Sequence, residues 1–348
     1  MSDSREMNVA TTASTAGAAE SNQPGVISTG RRGPFEGVIL ENDQLRVEVL
    51  PALGAKVVSL RDRTSGREWL TQADPASLRL PEPDEDWSAY DCSGWDECFP
   101  NILAGTHYAP PWAGTPLPDH GEVWSRSWAR EATNEGTLRT SIDGVRYPYT
   151  YARTLSLHGA RLRAAYAVTN RGDTPFPCMW ALHPLFAIEP GMHVEVPGVR
   201  SAIYDHGTGP SLGTTGSEVR WPTAIDRATG AQVTFTPVPG RDARLSAKLF
   251  APTNTGTAAL VAAEGRLVLR WDVSIAPYVG LWLDYGGYPE GSDAWYHLAI
   301  EPSTGAADDL AVAARLGPIL TVAAGAELQW RVEFSVGANA VPVALPHG

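Results

Sequence analysis

Beyond the first thirty or so residues, apolar and polar side chains alternate one by one in stretch after stretch. In "QLRVEVL", Leu45, Val47 and Val49 take one face and Arg46 and Glu48 the other. "RLRAAYAVTN" does the same with Leu162, Ala164, Tyr166 and Val168. The segments "AQVTFTP", "RLVLRWDV" and "ELQWRVEFSV" repeat the pattern, the last turning Leu328, Trp330, Val332 and Phe334 inward. A period of two is that of a strand with one buried face. Turn residues separate the strands, as in Asp143-Gly144, "TNRGDTP", "AEGR" and "RTSG". Only "DDLAVAARLG" carries helical spacing, and it is short. So many half-buried strands can bury their apolar faces only against each other, which predicts an all-β chain, a large antiparallel β-sandwich.

Two segments depart from this rhythm. Residues 1–33 are rich in Ser, Thr, Ala and Gly without apolar periodicity, so they read as a disordered tail before a single domain over 34–345. From Thr71 to Pro118 the chain is dense in prolines, acids and aromatics and hardly alternates, the profile of a long functional loop. Its aromatics Trp87, Tyr90, Trp95, Phe99 and Trp112 favour an ordered one.

Composition narrows the chemistry. A formal charge of −12 over 348 residues argues against nucleic-acid or anionic-membrane partners. The only lysines are Lys56 and Lys248, which leaves little scope for Schiff-base chemistry. The three cysteines, Cys92, Cys98 and Cys178, lack C-x-x-C spacing and read as free thiols. "HGE" at 120–122 and "HVE" at 193–195 lack a third ligand nearby, so no metal or other cofactor is expected. "GPSLG" at 209–213 matches a nucleophile elbow, but its flanks are loop rather than strand and helix. Arg31-Arg32 is not followed by the apolar run of an export signal, and no run reaches bilayer length; a cytoplasmic location is expected.

Candidate chemistry concentrates in a few places. In "LPDHGEVWSRSW", alternation from His120 predicts one face carrying Glu122, Trp124, Arg126 and Trp128, a polar binding cleft. Trp95, Trp124 and Trp128 lie beside charged or histidine-bearing segments and are candidates to stack on a sugar ring. In "MWALHPLFAIEPG", Pro184 holds His183 in extended backbone, and Pro302 does so for Glu301. Prolines placed this way are expected at strand ends or sheet edges, with side chains free to face a cleft. "AIEP" occurs at 187–190 and again at 299–302, so His183 has two candidate carboxylate partners. Extended chain at about 3.3 Å per residue would leave Glu189 roughly 20 Å from His183, too far to share one reacting centre.

In order along the chain, "GWDECFP", "PDHGEVWSRSW", "ALHPLF", "LWLDYGG" and "LAIEPSTG" resemble the aldose 1-epimerase (galactose mutarotase-like) family. The stretch "LENDQLRVEVLPALGAKVVSLRDRTSGREWL" is similar to its first strands, and the likeness runs over residues 36 to 335. The resemblance implies a β-sandwich that interconverts the anomers of a sugar without a cofactor. It implies His183 as the general acid on the ring oxygen and Glu301 as the general base on the C1 hydroxyl. His120, Arg126 and Asp284 would contact sugar hydroxyls. In place of the "HGG"-type motif of classical galactose mutarotases stands "DHGEVWSR", closer to the "HGFAR" pattern of hexose-6-phosphate epimerases. That leaves a free or a phosphorylated sugar as substrate. The alternatives are a non-catalytic carbohydrate-binding or regulatory protein on the same fold, or an isomerase or lyase for a modified sugar.

Overall fold

In a computed structural model of the chain, which describes residues 23–131, 136–338 and 340, the alternating segments become strands whose apolar faces meet in a two-sheet sandwich. One sheet has eleven strands in the order Val26–Arg32, Phe35–Glu41, Leu45–Leu50, Lys56–Asp62, Trp95–Cys98, Ala181–Ala187, Tyr296–Ser303, Tyr278–Tyr285, Leu245–Pro252, Ser201–Thr208, Glu218–Arg220. The other has eight, with Glu327–Gly337 and Arg161–Asn170 at its centre. Pairing is antiparallel throughout both. Among the described residues no helix is long and apolar enough to cross a membrane.

The core between the sheets is aromatic. Trp95 of the larger sheet packs on Phe334 of the smaller one, with ring centroids 4.8 Å apart. Glu97 is also buried there and accepts hydrogen bonds from Arg153 Nη1 (2.8 Å), Tyr166 Oη (2.9 Å), Trp95 Nε1 (3.1 Å) and Trp180 Nε1 (3.1 Å). A carboxylate so enclosed is tolerable because each lone pair has a donor. Strand alternation then sends the neighbouring Asp96 out through the opposite face of the sheet, away from the sandwich core. That outer face carries the site.

The structure corrects four expectations of local structure. The tail does not run to residue 33, because Val26–Arg32 pairs with Phe35–Glu41 as the edge strand of the larger sheet. Its residues are mostly exposed, so an edge held by backbone hydrogen bonds needs no apolar alternation; residues 1–22 lie outside the described residues. The expected cleft strand at 120–128 is a series of turns leading into Ala129–Arg130. The 71–118 stretch contains Trp95–Cys98, a central strand of the larger sheet, between irregular segments with two short 3-10 turns. Pro184 and Pro302 stand in central strands rather than at edges. Pairing of Ala181–Ala187 with Tyr296–Ser303 holds at Ala181↔Ser303 and resumes at Leu185↔Ala299, so the ladder opens around His183 and Pro184, where proline has no N–H to donate. The expected helix is present as Leu310–Leu316, with the Asp309 side chain accepting from Val312 N at 2.8 Å.

Candidate active site

Register places the candidate residues on the outer face of the larger sheet. His183 pairs across from Asp96, and the flanking pairs Ala181↔Ser303 and Leu185↔Ala299 bring it level with Glu301. His183 Nε2 lies 3.9 Å from Glu301 Oε1. One strand further, Glu301 pairs with Gly280 and Lys248 with Trp282. The missing side chain at Gly280 leaves the diagonal open for Lys248 to reach Glu301 Oε2 at 2.5 Å; a Cβ there would stand 3.2 Å from that oxygen. Lys248 Nζ also lies 3.4 Å from Asp308 Oδ1, whose other oxygen is 3.0 Å from His206 Nε2. An ionic row therefore crosses the sheet from Glu301 through Lys248 and Asp308 to His206.

Loops cover this row and leave a cavity of about 710 Å³. His183, His120, Lys248, Asp308 and His206 all form parts of its wall, with Trp87, Trp282 and Trp295. Glu301 is fully buried beneath it. His120 has a left-handed backbone (φ 56°) and donates its amide to Ile102 O at 2.6 Å. Next to it Gly121 takes φ 76° against Phe99, and any Cβ would fall 2.1 Å from the Phe99 carbonyl oxygen, so only glycine can turn the chain here. The imidazole of His120 stacks on Trp87 (centroids 4.8 Å, 17°), while His183 meets the same indole edge-on at 4.9 Å. The two imidazoles are 4.8 Å apart.

Trp87 is fixed from below. Its Nε1 donates to Asp96 Oδ2 at 3.0 Å, its amide to Asp119 Oδ2 at 2.9 Å. Asp96 in turn is 3.3 Å from Lys56 Nζ, which sits 2.7 Å from Asp91 Oδ2. Both lysines of the chain are thus buried on this face, each between two carboxylates on either side of the His183–Glu301 pair.

Electrostatics follow from burial and pairing. Burial, then the positive potential of His120, Lys248 and His297, holds His183 well below the usual histidine range. Burial raises the Glu301 carboxyl, and the Lys248 ammonium opposes that rise. For Lys248, burial favours the neutral amine, but Asp308 and Glu301 more than offset it and hold the proton on. Asp308 is held down to about 2: burial acts against this, and Lys248 and His206 overcome it. Buried atoms of this cluster without a hydrogen-bond partner among the described residues include Asp96 Oδ1, His120 Nδ1, His183 Nδ1, Glu301 Oε1 and Asp308 Oδ1.

No family model and no curated protein sequence matches the chain, but solved structures do. A galactose mutarotase related enzyme from Lactobacillus acidophilus superposes with a TM-score of 0.63 at 17% identity, over 89% of this chain and 100% of that one. A galactose mutarotase-like protein from Lactobacillus casei gives 0.61 at 18% identity, covering 86% and 99%. A protein provisionally described as an aldose 1-epimerase from Escherichia coli gives 0.60 at 15% identity, covering 90% and 99%. The chain has the galactose mutarotase-like fold.

Within this galactose mutarotase-like fold the sequence candidates divide. His183, His120 and Glu301 come together. Trp95 does not join them, because alternation turns it into the sandwich core against Phe334. Trp128 packs inward as well, edge-on to Tyr151 at 5.3 Å. Trp124 is buried one layer behind the cavity, with Nε1 bonded to Asp119 O at 2.8 Å. Arg126 reaches the Asp143 carbonyl at 2.7 Å, and Glu122 is tied to Tyr149 Oη at 2.8 Å; neither lines the cavity. Asp284 is fully buried and caps the next turn, accepting from Gly287 N at 3.0 Å and Tyr288 N at 3.2 Å. Its burial pushes the carboxyl up to about 7. Glu189 lies on the surface with Arg67 Nη1 at 3.2 Å.

Lys248, Asp308, His206, Trp87, Trp282 and Trp295 escaped the sequence reading as site residues. Lys248 left one trace: a lone lysine in a strand, "LSAKLFAP", of a chain that otherwise uses arginine. Among the described residues of this galactose mutarotase-like fold, two donor sets each have their ligand atoms within 4.8 Å of one another, Cys98–His120–His183 and Asp205–His206–Asp308. In the second set the ammonium of Lys248 already serves Asp308, which makes that set a poor cation site.

Proposed function

We propose that this protein is an aldose 1-epimerase-like isomerase that interconverts the α and β anomers of a free sugar. The observation that carries the reading is the His183–Glu301 pair, 3.9 Å apart, with His183 in the wall of a cavity partly lined by tryptophans and Glu301 buried beneath it. An indole face stacks on the apolar face of a sugar ring, and the 710 Å³ volume suits a monosaccharide. In the reaction, Glu301 Oε1 takes the proton of the C1 hydroxyl as His183 delivers one to the ring oxygen. The bond between C1 and the ring oxygen breaks, leaving an open-chain aldehyde. Rotation about C1–C2 presents its other face, and reversal of both proton transfers closes the ring as the other anomer. The pair needs one proton between them, starting on His183 in this direction, against the burial that disfavours the charged imidazole, and on Glu301 for the return. Side chains alone supply the chemistry, and exchange is expected to persist in EDTA.

The charges of the cavity wall support a free rather than a phosphorylated sugar. Arg146 is committed to Glu122 at 3.0 Å and to Asp84, and Lys248 to Glu301 and Asp308. A phosphate would need cations not already engaged. NMR of anomer exchange across a panel of free and 6-phosphorylated aldoses tests the reading. Acceleration of a free sugar is the expected result. Binding of sugars without any acceleration would replace the isomerase with a carbohydrate-binding protein on the same fold.

A further inference from the structure

We infer that Lys248 is the positioning residue of the acid/base pair, orienting Glu301 through one of its oxygens and favouring the carboxylate form that a general base needs. The inference rests on the proposed reaction for its kinetic consequence but on geometry for its substance. Glu301 is fully buried, and an unpaired carboxylate in such surroundings takes up a proton and becomes an acid rather than a base. Lys248 opposes this by direct contact with Oε2 at 2.5 Å. The contact fixes one oxygen and leaves the other, Oε1, without a protein partner on the side of His183 Nε2. No comparable contact joins Lys248 to His183, so its charge acts more strongly on the carboxylate than on the imidazole.

The local sequence makes this possible. Lys248 sits opposite Trp282, one strand beyond Gly280, and the glycine leaves the space through which the lysine passes to Glu301. Asp308 Oδ1 at 3.4 Å helps retain the ammonium proton. The other titratable groups around Glu301 are His183 on one neighbouring strand and Asp284 on the other. Beyond them come Cys98 and Asp96, His297 on its own strand, and His120 from the covering loop. Of all these groups, Lys248 alone is a cation in hydrogen-bond contact with the carboxylate.

The chain has two lysines, so protein labelled with [15N]lysine gives two side-chain ammonium signals, which Lys56→Arg assigns. Across a pH titration of the folded protein, the Lys248 signal should follow the ionisation of Glu301, and that response should vanish in Glu301→Gln while Lys56 is unchanged. Identical Lys248 titrations in wild type and Glu301→Gln would overturn the inference, whether or not the protein proves to be an isomerase. Kinetically, Lys248→Met should lower anomer exchange at neutral pH by about a hundredfold and move the acid limb of the rate profile upward by about one unit or more. Lys248→Arg should restore part of the rate with the limb near its wild-type place. A folded Lys248→Met protein with the wild-type rate and limb would also overturn the inference, whereas a wild-type protein that exchanges no sugar would count against the isomerase alone.

Discussion

His183 and Glu301 stand on adjacent central strands with Nε2 and Oε1 3.9 Å apart, while Glu189, in the segment that follows the His183 strand, is on the surface beside Arg67. Glu301→Gln is therefore expected to slow anomer exchange at least about a hundredfold, the scale of a lost general base. Glu189→Gln should change it little, since that side chain is 66% exposed and its partner Arg67 also has Glu264 at 2.9 Å. Loss of exchange in a well-folded Glu189→Gln protein with Glu301→Gln active would reverse the assignment.

Trp87 forms cavity wall and also stacks on His120. Trp87→Leu should weaken sugar binding by about 1 kcal/mol, or roughly fivefold, from the lost aromatic contact. Calorimetric titration measures it. An unchanged dissociation constant would remove Trp87 from the binding surface.

Buried His297 is held down to about 3 by burial, with Arg241 adding to the effect. The sign follows from which state takes the proton first. As pH falls below the ordinary value of about 6.5, the unfolded chain is protonated and the folded one is not, so stability present above that pH is lost on the way down, at about 1.4 kcal/mol per unit. Asp284 works the other way. Its carboxyl, raised to about 7, binds a proton in the folded state first and adds stability as pH falls below 7. Urea melts at pH 7 and pH 5 should show a shallower acid loss in His297→Gln and a steeper one in Asp284→Asn. Parallel slopes in all three proteins would refute this account.

The edge strand Val26–Arg32 is mostly exposed, yet it completes the larger sheet and brings Arg32 Nη1 to 3.5 Å from Glu48. Deletion through Arg32 should lower the melting temperature by several degrees, corresponding to about 1–2 kcal/mol in a domain of this size. A melt within a degree of the full chain would mean that the strand contributes nothing.

Period-two alternation was enough to predict an all-β sandwich, because the face a strand buries is a property of its own residues and needs no knowledge of its neighbours. The same local logic held His183 and Glu301 in extended backbone before proline and set Glu189 aside as too far along the strand. Pairing order was beyond it. Which strands lie side by side depends on contacts between segments far apart in sequence, and these bring Lys248 to Glu301 across Gly280. Trp95 and Asp96 show the limit most simply: they are consecutive, and one enters the sandwich core while the other faces the site. Sequence says that they point to opposite faces; only the packing of the second sheet decides which face is buried, and hence which residue meets a ligand.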